Sequence, residues 1–205
     1  MTIQQQAQAI LDFWFTPDPG QDEDAMRAAW FKKDAAFDEQ IRSRFGALIA
    51  QAIAGGLREW DEQGAAGTLA RILLLDQFTR NVHRGTPQAF AGDSLALAAA
   101  QTLVGAGQDV ALPPLQRSFV YLPFEHAEDM ALQEQAVALY ERLEHDPVVL
   151  ASAPLAQGMA NMLDYARQHL AVIARFGRFP HRNAVLGRDS TPQERDYLRQ
   201  PGAGF

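Results

Sequence analysis

The residues that could do chemistry in this chain begin with a basic segment at 175–188. Four arginines and one histidine fall within these residues: Arg175, Arg178, His181, Arg182 and Arg188. The whole chain carries a formal net charge of -7, so this cationic segment needs anionic partners. Arginine forks suit planar carboxylates and tetrahedral phosphates. The partners are either the protein's own carboxylates or a bound anionic ligand, and the sequence leaves both interpretations open.

Carboxylates also occupy helix positions where leucines would be expected. A helix predicted over 123–145 has a stripe of apolar side chains: Leu132, Ala136, Leu139, Tyr140 and Leu143. Glu125 precedes Leu132 by two helical turns and lies near the centre of this stripe, and Glu128 and Asp129 flank it. Because a buried carboxylate must be paired, hydrogen-bonded or neutralised, we expect this face to meet cations.

Two further predicted helices carry polar residues close to their apolar faces. On the core helix, predicted over 66–82, the apolar face continues through three polar residues: Asp76, Gln77 and Arg80. Asp76 and Arg80 can pair within the helix, although one carboxylate does not satisfy every donor of an inward arginine. On a helix predicted over 154–175, His169 lies at the edge of the apolar stripe.

We expect these polar groups to converge on one buried site. Glu125 and His126 are the candidate catalytic residues, because burial can tune either side chain for proton transfer. The candidate ligand-binding residues come from all of these segments: Asp76, Gln77, Arg80, Asp129, His169, Arg175, Arg178, His181, Arg182 and Asn183. The site could be a pocket for a small anion or for acid–base chemistry, a salt-bridge network that fixes the register of the helices, or a surface for a protein or peptide partner. Whether the chain is an enzyme stays open.

No metal site or cofactor is predicted. Glu125, His126, Asp129, His169 and His181 include oxygen and imidazole ligands, but their spacing matches no recognised metal motif, and nearby arginines would repel a cation. The sequence has no cysteine, phosphate loop, Gly-x-Ser-x-Gly elbow or His-Glu-x-x-His pair. No familiar catalytic motif therefore narrows the reaction.

Composition predicts one folded domain over 1–205, located in the cytoplasm. The chain has 205 residues, of which 47% are hydrophobic and 21% are charged, within the ordinary range of folded proteins. Residues 1–15 carry no basic residue, cysteine is absent, and no apolar run approaches the ~20 residues of a membrane-spanning helix. We therefore expect neither export nor a membrane partner. The negative net charge argues against nucleic acid as the main partner.

Helical periodicity runs through the chain, and no strand-like alternation persists between turn signals. Helices are predicted over 4–15, from Asp34 to Gly55, and over 66–82, 93–104, 123–145, 154–175 and 192–199. Thr191 to Glu194 form a capping-box pattern at the start of the last helix. Gly177 is the predicted end of the helix over 154–175. The predicted fold class is all-α: a single-domain array of antiparallel helical hairpins with a loop-rich segment from about residue 176.

Several short motifs form a set that spans nearly the whole chain. They are Asp12-Phe13-Trp14-Phe15, Trp30-Phe31, Phe37-Asp38, Leu75-Asp76-Gln77-Phe78, Arg80-Asn81, Arg84-Gly85-Thr86, Tyr121-Leu122-Pro123-Phe124-Glu125-His126 and the block from Arg175 to Gly187. This set resembles the bacterial domain of unknown function 924 family. The resemblance implies tetratricopeptide-like helical hairpins, in a family without an established reaction. Such hairpins commonly bind peptides in a groove, and a peptide-interaction module is therefore the alternative to an anion pocket.

Overall fold

The computed structural model describes residues 2–204, which form ten α-helices and no β-strand. The helices are α1 (Ile3–Phe15), α2 (Ala35–Ile53), α3 (Ala65–Leu73), α4 (Thr79–Val82), α5 (Asp93–Gly105), α6 (Pro114–Glu125), α7 (Met130–Glu144), α8 (Pro147–Ala151), α9 (Ala153–Phe176) and α10 (Pro192–Leu198). The all-α class predicted from the sequence is confirmed. The tetratricopeptide-like arrangement and the single domain stay predictions. For the part of the chain described, none of the helices combines the length and apolar character needed to cross a bilayer.

Local capping signals explain where several helices begin and end. The side chain of Asp34 accepts two backbone hydrogen bonds at the start of α2. Thr191 and Glu194 form the predicted capping box at the start of α10. Gly177, with a φ angle of 68°, ends α9 in the left-handed conformation that favours glycine.

The predicted core helix is present, but it contains a π-helical turn. α3 continues through a π turn at Leu74–Phe78 into α4 without a break. The hydroxyl of Thr79 donates a hydrogen bond of 2.7 Å to the carbonyl of Leu74, five residues back, which matches the wider turn. The apolar side chains around the turn have no exposed surface: Leu69, Ile72, Leu73, Leu74, Leu75 and Phe78. Asp76 therefore stands on a widened turn inside the most buried helix.

The prediction of a single helix over 123–145 is wrong, because the chain turns between the end of α6 at Glu125 and the start of α7 at Met130. Asp129 has an extended backbone, and its side chain accepts a hydrogen bond of 3.0 Å from the N–H of Leu132, so it caps α7. Glu125 is buried as expected, but it occupies the last turn of α6 and does not belong to the stripe of α7. The short helix α8 was not predicted from the sequence.

A large apolar core draws on residues of α1, α2, α3, α5, α6, α7 and α9. α3 packs against α1, α5 and α6, and α7 packs against α6 and α9. The start of α5 approaches the π turn closely: a Cβ added to Gly92 would lie 2.2 Å from the carbonyl oxygen of Leu75. Because glycine permits this approach, Asp93, the first residue of α5, is brought next to the π turn.

Candidate functional site

The candidate site is built around the carboxylate of Asp76, which has no exposed surface. Its Oδ1 lies 2.7 Å from both Arg80 Nη1 and His126 Nδ1, and its Oδ2 accepts a hydrogen bond of 2.6 Å from Gln77 Nε2. Burial alone would raise the pKa of Asp76, but the charge of Arg80 and the contact with His126 hold it well below its usual range. The carboxylate is therefore ionised at neutral pH.

His126, directly after α6, has a defined tautomer. Because an ionised carboxylate only accepts hydrogen bonds, the proton of the neutral imidazole is assigned to Nδ1 and the lone pair to Nε2. No hydrogen bond joins Nε2 to the described residues 2–204. Burial, followed by the charge of Arg80, lowers the pKa of His126 against the opposing effect of Asp76. The ring is therefore a neutral base at pH 7 whose Nε2 is not engaged by the protein.

Arg182, in the segment after α9, is buried without a hydrogen bond on its guanidinium. Its Cζ lies 4.8 Å from the ring centroid of Phe90 and 4.6 Å from that of Phe179. Arg182 is 7% exposed. Its Nη1 lies 3.5 Å from Oδ2 of Asp93, longer than a normal hydrogen bond, and its buried Nε has no partner within residues 2–204. Burial, and then the charge of Arg80, lowers the pKa of Arg182 to about 10, so it is still charged at pH 7.

Asp93 connects the two arginines of the site. Arg80 Nη2 donates a hydrogen bond of 3.0 Å to Oδ2 of Asp93, the oxygen that lies near Arg182. Burial raises the pKa of Asp93, although the charge of Arg80 opposes this effect. Asp93 was not predicted as a site residue, because an acidic residue in the first turn of a helix is a common feature. Phe90 and Phe179 were not predicted either, since single aromatic residues usually belong to a core.

A cavity of ≈ 400 Å³ opens beside these residues. Its polar lining combines His126 and Arg182 with Ser94 and three carboxylates, those of Asp93, Glu128 and Asp129. Several residues contribute apolar side chains: Phe90, Leu97, Pro123, Leu132 and Leu186. This volume lies within the ~300–1,000 Å³ of typical small-molecule pockets. Among residues 2–204, no three histidine, aspartate or glutamate side chains are grouped in a way that could hold a metal ion. A small ligand in this cavity could contact His126 and Arg182 together.

A larger cavity of ≈ 580 Å³ lies beside α1 and the start of α2. Its lining includes Arg27, which donates hydrogen bonds of 2.9 and 2.7 Å to the carbonyl oxygens of Phe13 and Trp14, and of 3.2 Å to Asp18. Three aspartates line the same cavity: Asp12, Asp18 and Asp34. A second arginine of the lining, Arg44, is exposed and lies over the rings of Phe13 and Phe45. Because Arg27 has protein partners and Arg44 is open to solvent, this cavity offers an anion no buried guanidinium that lacks hydrogen bonds.

Glu125 and His169 form a buried pair next to His126. Oε1 of Glu125 lies 3.1 Å from Nδ1 of His169, which is also 2.8 Å from the carbonyl oxygen of Tyr165. Burial, and then the charge of Asp76, raises the pKa of Glu125 to about 8. Burial, and then His126, lowers the pKa of His169 to about 3. The pair is therefore uncharged at pH 7. The sequence predicted that a cation would neutralise Glu125, but Glu125 is neutralised by binding a proton.

Two other arginines of the basic segment bind carboxylates of the protein. Arg178 donates hydrogen bonds of 2.7 and 2.8 Å to the two carboxylate oxygens of Glu194. Arg188 donates hydrogen bonds of 2.6 and 2.9 Å to the two carboxylate oxygens of Glu128, and Oε1 of Glu128 also accepts one of 2.7 Å from the N–H of Phe179. The second set of bonds ties the segment that contains Arg182 to the loop that contains His126.

Four other predicted binding residues have local contacts. Arg175 is exposed and stacks on the ring that follows it in the sequence. Asn183 is buried and forms hydrogen bonds within its own segment. Asp129 caps α7 at the edge of the cavity. Burial and the charge of Arg182 lower the pKa of His181 to about 4, so this ring is uncharged. The structure brings together Asp76, Gln77, Arg80, His126 and Arg182, with Glu125 and His169 beside them, and it pairs Arg178 elsewhere.

The fold and the site define an all-helical protein with a buried Asp–His pair beside a cavity that contains an arginine. The chain belongs to the family of bacterial proteins of unknown function DUF924, whose family model matches residues 10–202. It is similar to a solved structure, the protein of unknown function ATU0120 from Agrobacterium tumefaciens. The two chains are 39% identical with a TM-score of 0.80, over 97% of this chain and 99% of the other. No curated protein matches the chain. The family predicted from the motifs is confirmed.

Proposed function

We propose that the cavity beside His126 binds a small anion of the carboxylate or phosphate class through Arg182. The observation that carries this proposal is the guanidinium of Arg182, which is buried and charged but forms no hydrogen bond within residues 2–204. Buried polar groups normally have partners, because leaving one unsatisfied costs roughly 1–3 kcal/mol and more when it is charged. An anion with two acceptor oxygens would supply the missing hydrogen bonds.

The aromatic neighbours of Arg182 favour contacts at the edge of its guanidinium. Phe90 and Phe179 lie 4.8 and 4.6 Å from Cζ, within the range of cation–π interactions. Stacking of this kind orients the plane of the guanidinium and leaves its N–H groups pointing outward in that plane. Carboxylates and phosphates bind such a fork through two parallel hydrogen bonds.

The other arginines near the cavity already have partners. Arg80 is hydrogen-bonded to Asp76 and Asp93, and Arg188 binds a carboxylate through two hydrogen bonds. An entering anion would therefore meet Arg182 first and would compete with Asp93 at 3.5 Å. Because burial raises the pKa of Asp93, proton uptake there would reduce its repulsion of the ligand.

The alternative is a tetratricopeptide-like module that binds a protein or peptide, with the charged cluster as a structural salt-bridge network. The two-bond pairs of Arg178 and Arg188 favour a structural role for those arginines. Such pairing does not extend to Arg182, and for that reason we place the anion site there. The proposal involves no nucleic acid, membrane, metal or cofactor, and the cytoplasmic location stays a prediction.

Thermal unfolding with inorganic phosphate, malonate and pyruvate tests the anion site. A ligand at 100 times its Kd adds about 2.7 kcal/mol to the free energy of unfolding, which is about 5–10 °C in Tm for a chain of this size. We expect this shift in the wild type and in Arg175→Gln, a control that removes an exposed charge from the same segment. Arg182→Gln should abolish the shift, and Arg182→Lys, which retains the charge, should weaken affinity at least about tenfold because the fork is lost.

Two results would reject the anion site. One is the absence of any shift in the wild type with all three anions. The other is an equal shift in the wild type and in the Arg182 variants, which would assign binding to another surface.

A further inference from the structure

We propose that His126 is an acid–base catalyst whose Nε2 removes and returns a proton on the anionic substrate held by Arg182. This inference rests on the proposed anion site and adds a reaction class to it. His126 and Arg182 line the same cavity, whereas Asp76 occupies the other nitrogen of the imidazole. The nitrogen that carries the lone pair is therefore the one that a ligand in the cavity can reach.

Asp76 acts as a positioning residue through His126. Its carboxylate is held by Arg80 and Gln77 as well as by the imidazole, and it stands on the buried π turn of the core helix. A carboxylate at Nδ1 fixes the tautomer and orientation of a histidine, and it stabilises the imidazolium that forms when Nε2 accepts a proton. Asp76 is fully buried, so it does not contact the substrate itself.

The charges around His126 influence its protonation in opposite directions. The groups that surround it are Asp76 and Arg80 on the core helix, Asp93 on α5, Glu125 on α6, Glu128 in the following loop, His169 on α9, and His181 and Arg182 after α9. The arginines favour the neutral ring, and Asp76 favours the protonated ring. A base that starts neutral, and whose protonated form is stabilised by a carboxylate at its other nitrogen, can both accept a proton and return it.

The reaction step conserves all atoms and electrons. The lone pair of Nε2 takes the proton from a C–H bond next to the anionic group of the substrate, and the electron pair of that bond stays on the substrate. The positive charge of Arg182 stabilises this extra electron density, and Asp76 stabilises the imidazolium. The proton then returns to the same carbon or to a neighbouring atom, and the neutral ring is restored.

This chemistry defines a substrate class: a small carboxylate or phosphate compound with an acidic C–H bond close to its anionic group. The net reaction is an isomerisation, because nothing is added to the substrate or removed from it. Among the described residues, no hydroxyl group is hydrogen-bonded to Nε2. Ser94 lines the same cavity, but no hydrogen bond joins its hydroxyl to the imidazole, and we assign it no role in the step.

Chemical modification tests whether Nε2 is a reactive base that faces the bound anion. Diethyl pyrocarbonate acylates neutral imidazoles, and mass spectrometry of peptides gives the rate at each histidine. We expect His126 to react in the wild type and the bound anion to slow this reaction by up to about fivefold at 80% saturation, the limit set by the fraction of protein that stays unliganded. The exposed ring of His145 serves as an internal reference that the anion does not protect. In the Arg182→Gln variant, His126 should still react with diethyl pyrocarbonate, but the anion should no longer slow the reaction.

The pH dependence of the acylation of His126 by diethyl pyrocarbonate distinguishes a positioning role of Asp76 from a purely structural role. We expect an apparent pKa of His126 below that of N-acetylhistidine in the wild type, and lower still in Asp76→Asn, because the carboxylate that favours the imidazolium is lost. If His126 does not react, or if a bound anion leaves its rate unchanged, the acid–base role is wrong even when the Tm shift supports the anion site.

Solvent exchange tests the proton transfer directly. In deuterium oxide, the wild-type protein should increase deuterium incorporation into the methyl group of pyruvate or the methylene group of malonate, measured by proton NMR. His126→Gln should lower the catalysed rate at least about 100-fold, within the usual contribution of a general base. If neither compound exchanges faster with the wild-type protein than in buffer, the catalytic role is rejected, whereas the anion site is judged separately by the Tm shift.

Discussion

Nδ1 of His126 lies 2.7 Å from Oδ1 of Asp76, although the two residues are 50 positions apart in the sequence. This contact joins the end of α6 to the π turn of the core helix. The same carboxylate binds Arg80, so a single buried group holds together two helices and orients the ring at the cavity. Asp76 therefore has a structural role, in holding the two helices together, and a proposed chemical role, in orienting His126. Variants at the site test both roles.

Asp76→Asn should destabilise the fold strongly. The substitution removes the charge that satisfies Arg80 and His126 and leaves Arg80 partly unpaired in the interior. Breaking a buried ion pair from one side typically costs about 3–5 kcal/mol. Urea denaturation measures this loss. Asp196→Asn, which breaks an exposed pair with Arg199, should change the free energy of unfolding by less than about 1 kcal/mol. Equal losses in the two variants would contradict the prediction.

Glu125 should make the fold less stable as the pH rises from about 6.5 to 8. The pKa of Glu125 is about 8 in the folded protein and about 4.3 in an unfolded chain, so between these values only the folded state binds the proton. The contribution of Glu125 is complete below about pH 4 and is lost as the pH approaches 8. His126, His169 and His181 have lowered pKa values and act in the opposite direction, but only below about pH 6.5.

The decrease from Glu125 over this pH range amounts to at most about 2 kcal/mol, at 1.36 kcal/mol per pH unit. Urea denaturation at a series of pH values measures it. Glu125→Gln should remove the decrease, because glutamine stays neutral, and the exposed control Glu141→Gln should retain it. A wild-type curve that is flat between about pH 6.5 and 8 would contradict the raised pKa of Glu125.

Gly92→Ala should be destabilising, because α5 packs against the π turn without space for a side chain. The added Cβ would lie 2.2 Å from the carbonyl oxygen of Leu75, so the start of α5 must move. Overpacking of this kind costs about 1–3 kcal/mol. Gly46→Ala is the matched control: the position is inside α2 with no heavy atom within 4 Å of the new Cβ, and alanine should add up to about 1 kcal/mol. Thermal unfolding of both variants gives the comparison.

Glu128 and Arg188 should couple energetically and support anion binding indirectly. Their two hydrogen bonds tie the segment of Arg182 to the loop of His126. A double-mutant cycle with Glu128→Gln and Arg188→Gln should give a coupling energy of about 0.5–1 kcal/mol. Each single variant should also weaken the Tm shift caused by the anion. A control cycle on the exposed pair Asp196 and Arg199 should give a coupling energy near zero. A coupling energy near zero for Glu128 and Arg188 would contradict the prediction that this pair ties the two segments together.

The helices could be predicted from the sequence because their signals are local. Asp34, the Thr191–Glu194 capping box and Gly177 each determine a helix end through neighbouring residues. The prediction failed over 123–145, where two signals compete. If the helix is continuous, the apolar stripe extends backwards to Glu125 with Asp129 on its flank, whereas Asp129 as an N-cap ends that continuity. The capping interaction prevails, because it satisfies a backbone N–H that would otherwise lack a partner.

The composition of the site was only partly predictable, because it depends on tertiary packing. Arg178 and Arg182 are similar in sequence context, but one binds Glu194 and the other faces the cavity. Asp93 reaches the site because Gly92 lets α5 approach the core helix, a contact that periodicity does not encode. The inward carboxylates of Asp76 and Glu125 were expected, and the pairing of Asp76 with Arg80 one helical turn away was also predictable. That Glu125 meets His169 and no arginine, and is therefore neutralised by a proton, depends on how the helices pack.

The π turn at Leu74–Phe78 implies that the core helix contains one residue more than a regular helix would need there. Deleting a single residue from this turn would restore ordinary α-helical spacing while the flanking segments keep their packing. The carboxylate that orients His126 therefore stands within a one-residue expansion of the helix, and its direction depends on that expansion.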